Sequence, residues 1–156
     1  MTLLLLARAG LLGVVAGLRS QVPTAVLAAR GLGPTSGPLS SLRTTAGRRS
    51  AYLAALGELA ADKLPANPSR MSRGPLVGRV VSGAVAGGAL AAGTGSRRGA
   101  LVLPAVVGAA GAYLGSWGGF GARQALVART GLPDPVVAVA EDVVAIGLGA
   151  VAVRGL

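Results

Sequence analysis

Glu141 and Asp142 stand side by side in the last apolar run of the chain, PVVAVAEDVVAIGLGAVAV, from Pro135 to Val153. Carboxylates can hold a cation or pass a proton, and in a run of this composition they are out of place. At about 1.5 Å of rise per helical residue, the run is about long enough to cross a hydrocarbon core of about 30 Å. An ionisable group at the bilayer centre costs on the order of 2.5–3.5 kcal/mol on insertion scales. The pair therefore marks either a polar core inside a helix bundle or a functional site. Adjacent residues point about 100° apart on a helix, so the two cannot share one narrow face. One is placed to pair with an arginine while the other lines a cavity; the plainer reading is a structural ion pair within the membrane.

A second charged group lies in AYLAALGELAADKL, Ala51 to Leu64. Glu58 and Asp62 are four residues apart on one helical face, with Lys63 beside them. Either they pair among themselves at a loop, or the carboxylates turn inward against Arg19 or Arg79. A third feature is Arg19-Ser20-Gln21-Val22-Pro23, which interrupts the apolar N-terminal stretch. Pro23 removes a backbone donor and disfavours a continuous helix. The expectation is a broken helix over Leu3–Ala29, with polar groups at the break. Non-helical backbone at membrane depth survives only where protein or a water-filled cavity satisfies it. The candidate polar centre is thus Arg19, Glu58, Asp62, Lys63, Glu141 and Asp142, with Pro23 marking the helix break.

The chain has neither Cys nor His. This excludes disulfides, thiolate chemistry, the usual zinc sites, haem ligation by His and catalysis by a His base. Hard-cation binding by carboxylates stays open, with no metal specified. No cofactor and no enzymatic activity are expected.

Apolar residues make up 52% of the 156 and charged residues 13%, about half the share of an ordinary soluble domain, roughly 25%. The apolar excess, mostly Ala, Leu and Val with 26 Gly, has no solvated surface to balance it. The net charge of +10 comes from 14 Arg, one Lys and five acids. A soluble protein this basic would suggest nucleic acid. Here the arginines fall in the gaps between apolar runs: Arg43, Arg48 and Arg49; Arg70, Arg73 and Arg79; Arg97 and Arg98; Arg129. That distribution suits loops facing phospholipid headgroups, and no nucleic-acid partner is expected.

The whole chain reads as one integral membrane domain, an all-α polytopic bundle of about five membrane helices, one broken and one short. The N-terminal run has no basic residue ahead of it and no clear cleavage site, so it reads as a retained helix rather than a signal peptide. Gly31 to Ser50 reads as a polar surface loop (domain position 30–50). Ala51–Leu64 is the short helix. Pro75–Ala92 and Leu101–Trp117 are spans, with Gly118-Gly119 a candidate hinge and Phe120–Arg129 a basic amphipathic continuation. Gly131-Leu132-Pro133-Asp134-Pro135 stops one helix and starts the next, with Asp134 a candidate N-cap. Tyr113 and Trp117 are candidates for anchoring a span end at the interface, with plain packing the equal alternative. With five spans, the Arg counts on the two sides differ too little to fix orientation.

Gly13-x3-Gly17, Gly83-x3-Gly87 and Gly111-x3-Gly115-x3-Gly119 allow close helix approach and read as ordinary packing rather than a dedicated dimer face. Gly147-x-Gly149-x-x-Ala152 has the spacing of a dinucleotide fingerprint but follows a helix candidate rather than a strand, and is discarded.

Three motifs in order, Gly17-x-Arg19-x3-Pro23, Glu58-x2-Ala61-Asp62-Lys63-x-Pro65 and Asp134-Pro135-x5-Glu141-Asp142-Val143, resemble the domain-of-unknown-function 4126 family of small bacterial integral membrane proteins. The family often has Asn-Pro where this chain has Asp134-Pro135, and the Gly31–Ser50 loop is unlike the family. The resemblance implies a multi-pass protein of the bacterial cytoplasmic membrane and supplies no activity. Two functions follow as expectations. The first is a small transporter or channel, oligomeric, using intramembrane carboxylates for a cation or proton. The alternative is a scaffold or assembly partner of another membrane complex, with its charges satisfied internally. A lipid-modifying membrane enzyme ranks last, because without His and Cys it would need carboxylates and a metal.

Overall fold

The computed structural model describes residues 2–61 and 71–156. These form six α-helices and no strand: α1 (Leu3–Leu18), α2 (Val22–Ala29), α3 (Thr45–Ala61), α4 (Arg73–Gly93), α5 (Val102–Thr130) and α6 (Asp134–Ala152). Short 3-10 turns at Pro38–Arg43 and Arg98–Ala100 lie between them. Of the roughly five membrane helices expected, three among the described residues have the length and apolarity of a span: Arg73–Gly93, Arg98–Thr130 and Asp134–Ala152. Leu3–Leu18 is apolar but shorter.

Glycine sets the centre of the bundle. A Cβ built on Gly13 would fall on the Gly108 carbonyl, and one on Gly17 on the Ala112 carbonyl and the Ser116 amide. α1 and α5 therefore run parallel with their backbones in contact. α4 runs antiparallel to both, with Gly83 against Gly108 and Gly87 against Pro104. Close approach of this kind needs small residues and gains dispersion contact along the whole seam. The Gly-x3-Gly spacings of α1 and α4 are thus used inside the chain.

The broken helix turns back on itself. Val15, Leu18 and Val22 share a buried cluster with Ala145 of α6. Further along, Leu27 of α2 meets Ala9 and Leu12 of α1, Leu90 of α4 and Ala152 of α6. As α2 advances, it thus meets earlier and earlier residues of α1. After α2, Leu32 and Gly33 reach Gly93 at the end of α4. The pair α1–α2 is a helical hairpin with its tip at Arg19–Gln21. It enters and leaves at the end of the bundle that also holds the α4–α5 connection and the end of α6. The tip lies level with Ser116, the midpoint of α5, and with Asp142, near the midpoint of α6.

Gly31–Ser50 is more ordered than a polar surface loop. Leu42, in the first 3-10 turn, is buried with Ala28 and Ala51. The Thr44 hydroxyl accepts the Gly47 N–H at 3.0 Å, an N-cap that starts α3 ahead of Ala51. From there α3 runs along α2 and carries Glu58 to the hairpin tip.

Two local expectations are corrected. Gly118-Gly119 does not hinge α5, which continues unbroken to Thr130. Tyr113 and Trp117, with ring centroids 6.4 Å apart, lie near the middle of α5. Asp134 is the first residue of α6, not its cap; Pro133 holds the cap position, and the Asp134 carboxylate binds Arg123. Gly131 does close α5, with φ 64°, a left-handed conformation that glycine adopts at no steric cost.

Candidate functional site

Breaking a helix inside a bundle exposes backbone groups that water would otherwise satisfy, and each buried orphan costs about 1–3 kcal/mol. At the hairpin tip, side chains from three other helices, α3, α4 and α5, take these groups. The carbonyls of Gly17 and Leu18, at the C-terminal end of α1, accept from Arg79 Nη1 at 2.7 and 2.6 Å. Ser116 Oγ lies 2.8 Å from its own helix carbonyl at Ala112 and 3.3 Å from the Gly17 carbonyl, sharing one proton between them. The Ser20 carbonyl accepts from the Ser82 hydroxyl.

On the other side of the tip, Glu58 Oε1 accepts from the Ser20 N–H at 2.7 Å and the Ser20 hydroxyl at 2.8 Å. Its Oε2 accepts the Gln21 N–H at 2.7 Å. The signs match the helix dipoles. A guanidinium meets the negative end of α1, and a carboxylate meets the positive end of α2.

Arg19 sits between them. Its backbone is extended, φ −142° and ψ 110°, and its N–H closes α1 onto the Val15 carbonyl at 2.7 Å. The side chain is fully buried, at 0% exposure. Its Nε donates to Asp142 Oδ1 at 2.5 Å, and its Nη2 lies 3.5 Å from Glu141 Oε2. Its Nη1 donates to the Leu18 carbonyl at 3.2 Å. Glu141 Oε2 is also 3.6 Å from Arg123 Nη1. Arg123 in turn grips Asp134 with Nε and Nη2 at 2.7 and 2.5 Å. A ladder of charge runs from buried Asp142 through Arg19, Glu141 and Arg123 to Asp134, whose side chain is 59% exposed.

Four of the residues singled out in the sequence, Arg19, Glu58, Glu141 and Asp142, stand around one tip, contributed by the break, α3 and α6. Asp62 and Lys63 lie outside the described residues. Glu58 does not meet an arginine there; it caps backbone. Arg79 serves the opposite cap. Ser82, Ser116 and Arg123 went unrecognised in the sequence. Arg123 reads as one of several basic residues at a helix end, and hydroxyls among 26 glycines carry no pattern.

Among the described residues, three guanidiniums (Arg19, Arg79, Arg123) thus stand with four carboxylates (Glu58, Asp134, Glu141, Asp142), Asp134 at the exposed end. Opposite charges side by side offset much of the cost of burying the inner members. Among the described residues, no group of three or more carboxylates could hold a metal ion. A cavity of about 180 Å³ between the end of α1, the second half of α5 and α6 has Glu141 and Arg123 in its lining. Its walls are apolar, with Leu18, Leu126, Val137 and Val144 among them.

Comparison with known proteins returned no match to any family model, curated protein or solved structure. The resemblance drawn from the three motifs therefore rests on those residues alone.

Proposed function

We propose that this chain is a multi-pass protein of the bacterial cytoplasmic membrane that works as a scaffold or assembly partner for other membrane proteins. In this reading α4, α5 and α6 cross the bilayer. The α1–α2 hairpin is re-entrant, and α3 leans on it. One observation carries the reading. The described intramembrane charges bind one another and the backbone of the break, and the cavity beside them has apolar walls. A network of paired charges of this kind serves to hold a shape. The shape it holds presents long apolar faces outward, such as Val139, Val143 and Ile146 of α6, which suit lateral contact with lipid, a second copy or another helix.

A second reading, transport of a proton or small cation, draws on Glu141. That carboxylate borders the cavity and lies 3.5 and 3.6 Å from two arginines, a looser contact than the 2.5 Å pair of Arg19 with Asp142. Glu141→Gln and Asp142→Asn in proteoliposomes separate the two. For a scaffold, the wild type passes no protons or common cations above empty liposomes, and the variants lose stability. Wild-type flux that falls in a variant still folded and inserted would replace the scaffold by a transporter.

A further inference from the structure

A second feature of the hairpin lies along α2. This helix packs on α3 through Ala28 and Ala51, and on α6 through Val26 and Gly149. Between those two neighbours it leaves a groove of about 360 Å³, with α2 from Val22 to Ala29 as the floor and Ile146 of α6 on one side. Tyr52, Ala55, Leu56 and Leu59 of α3 form the other side. Apart from the Tyr52 hydroxyl, every side chain of the lining is apolar. Tyr52, Leu56 and Ile146 are exposed, so the groove opens outward.

The two ends of the groove differ. The inner end, at Val22 and Leu59, lies beside the hairpin tip, where Glu58 caps Ser20 and Gln21. The outer end lies where Ala28 meets Ala51, toward the face at which the hairpin enters. There Arg48 stands one turn before Tyr52. At about 100° per residue, it falls inside the arc that the four groove residues of α3 cover. Arg48 is half-buried, and its Nε is buried with no hydrogen-bond acceptor among the described residues. Arg30, directly after the floor, and Arg49 are exposed at the same end. A guanidinium carries donors only, so the Arg48 Nε calls for an acceptor oxygen from outside.

Length and lining select the occupant. The floor has eight residues. At about 1.5 Å per residue it covers about 12 Å, most of one leaflet of a hydrocarbon core about 30 Å thick. A docking helix would find about two turns of seam, walled by large side chains where close backbone approach needs small ones. An acyl chain needs neither. Its head would stand at the outer end, where the donor fork of arginine matches phosphate oxygens. We propose that this groove holds one acyl chain of an anionic phospholipid, with the phosphate on Arg48. Such a site requires that α4, α5 and α6 cross the bilayer, as proposed above; it does not require the scaffold role.

Native mass spectrometry of the full chain in detergent, titrated with phosphatidylglycerol and with phosphatidylcholine, tests the site. Phosphatidylglycerol should be retained preferentially. Arg48→Gln should weaken its retention by roughly tenfold, the factor that about 1.4 kcal/mol represents, and leave phosphatidylcholine unchanged. Without added lipid, that variant should unfold at the wild-type temperature, because the Nε it removes has no acceptor to lose among the described residues. Ala25→Phe fills the groove from its floor and should weaken retention of both lipids. Arg48→Gln carries the test if Ala25→Phe fails to fold. Arg97→Gln/Arg98→Gln removes two charges outside the groove and should spare the preference. Equal retention of the two lipids by the wild type would overturn the proposal. So would a preference that survives Arg48→Gln, a preference lost as fully in Arg97→Gln/Arg98→Gln, or retention untouched by a folded Ala25→Phe. Alkaline carbonate extraction separates the two levels. Recovery of the protein in the soluble fraction overturns the membrane placement and the site together. A protein that stays in the pellet and shows no lipid preference overturns the site alone.

Discussion

Arg19 Nε lies 2.5 Å from Asp142 Oδ1, joining residues 123 positions apart in the chain. Arg19 is the residue at which α1 ends, and Asp142 is near the midpoint of α6. One ion pair therefore ties the tip of the hairpin to the centre of a spanning helix. Removing one partner leaves the other buried, which costs roughly 3–5 kcal/mol. We expect Arg19→Met and Asp142→Leu each to destabilise the protein by that order, read from denaturation in detergent. The double variant should lose clearly less than the sum, with a coupling of roughly 0.5–3 kcal/mol. Strict additivity would show that the pair is not a unit.

Glu58 makes a different kind of bond. Its carboxylate holds the N–H groups of Ser20 and Gln21, so its loss strands donors and not a countercharge. Glu58→Ala should cost about 1–3 kcal/mol. Glu58→Gln keeps one acceptor oxygen and should cost less. Hydrogen exchange localises the effect: the Ser20 and Gln21 amides should exchange faster in Glu58→Ala, while those around Gly108 stay protected. Unchanged exchange at Ser20 and Gln21 would contradict the capping role.

Particular residues show what was legible in advance. Arg19, Gln21 and Pro23 inside an apolar stretch announce an interruption, because each is costly in a continuous buried helix. They do not say which way the chain leaves. That direction is set by where Leu27 and Gly33 pack, and both contacts are with distant segments. The carboxylates are conspicuous for the same energetic reason. Glu58's partners are not, because backbone N–H groups are the same at every residue and leave no mark on the sequence. Arg79 illustrates the same point from the donor side. It holds two carbonyls at a helix end, whose dipole favours a cation, and backbone carbonyls leave no mark on the sequence either.

The glycines make a graded prediction. At Gly108 an added Cβ would meet the backbone of Gly83, where nothing can give way. Gly108→Ala should therefore destabilise by about 1–3 kcal/mol or more, as overpacking does. At Gly147, in α6, a Cβ meets nothing within 4 Å. Gly147→Ala should be neutral or gain up to about 1 kcal/mol by restricting the unfolded chain. Thermal unfolding of the two variants in one detergent compares them directly. Equal effects would mean that α4 and α5 do not touch through glycine.

The hairpin itself makes the sharpest topological prediction. If α1 and α2 together formed one broken span, residue 2 and residue 36 would lie on opposite faces of the membrane. A re-entrant hairpin returns the chain to the side it came from, so both lie on one face. The α4–α5 connection shares that face, and the α5–α6 connection lies on the other. The chain has no Cys, so single cysteines report without background. Thr2→Cys, Ser36→Cys and Gly99→Cys should react with a membrane-impermeant maleimide from one side of oriented vesicles, and Leu132→Cys only from the other. Ser20→Cys, at the tip, should resist the reagent from both sides, because the network that satisfies the break also excludes water from it. Labelling of residues 2 and 36 from opposite sides would replace the hairpin with a span.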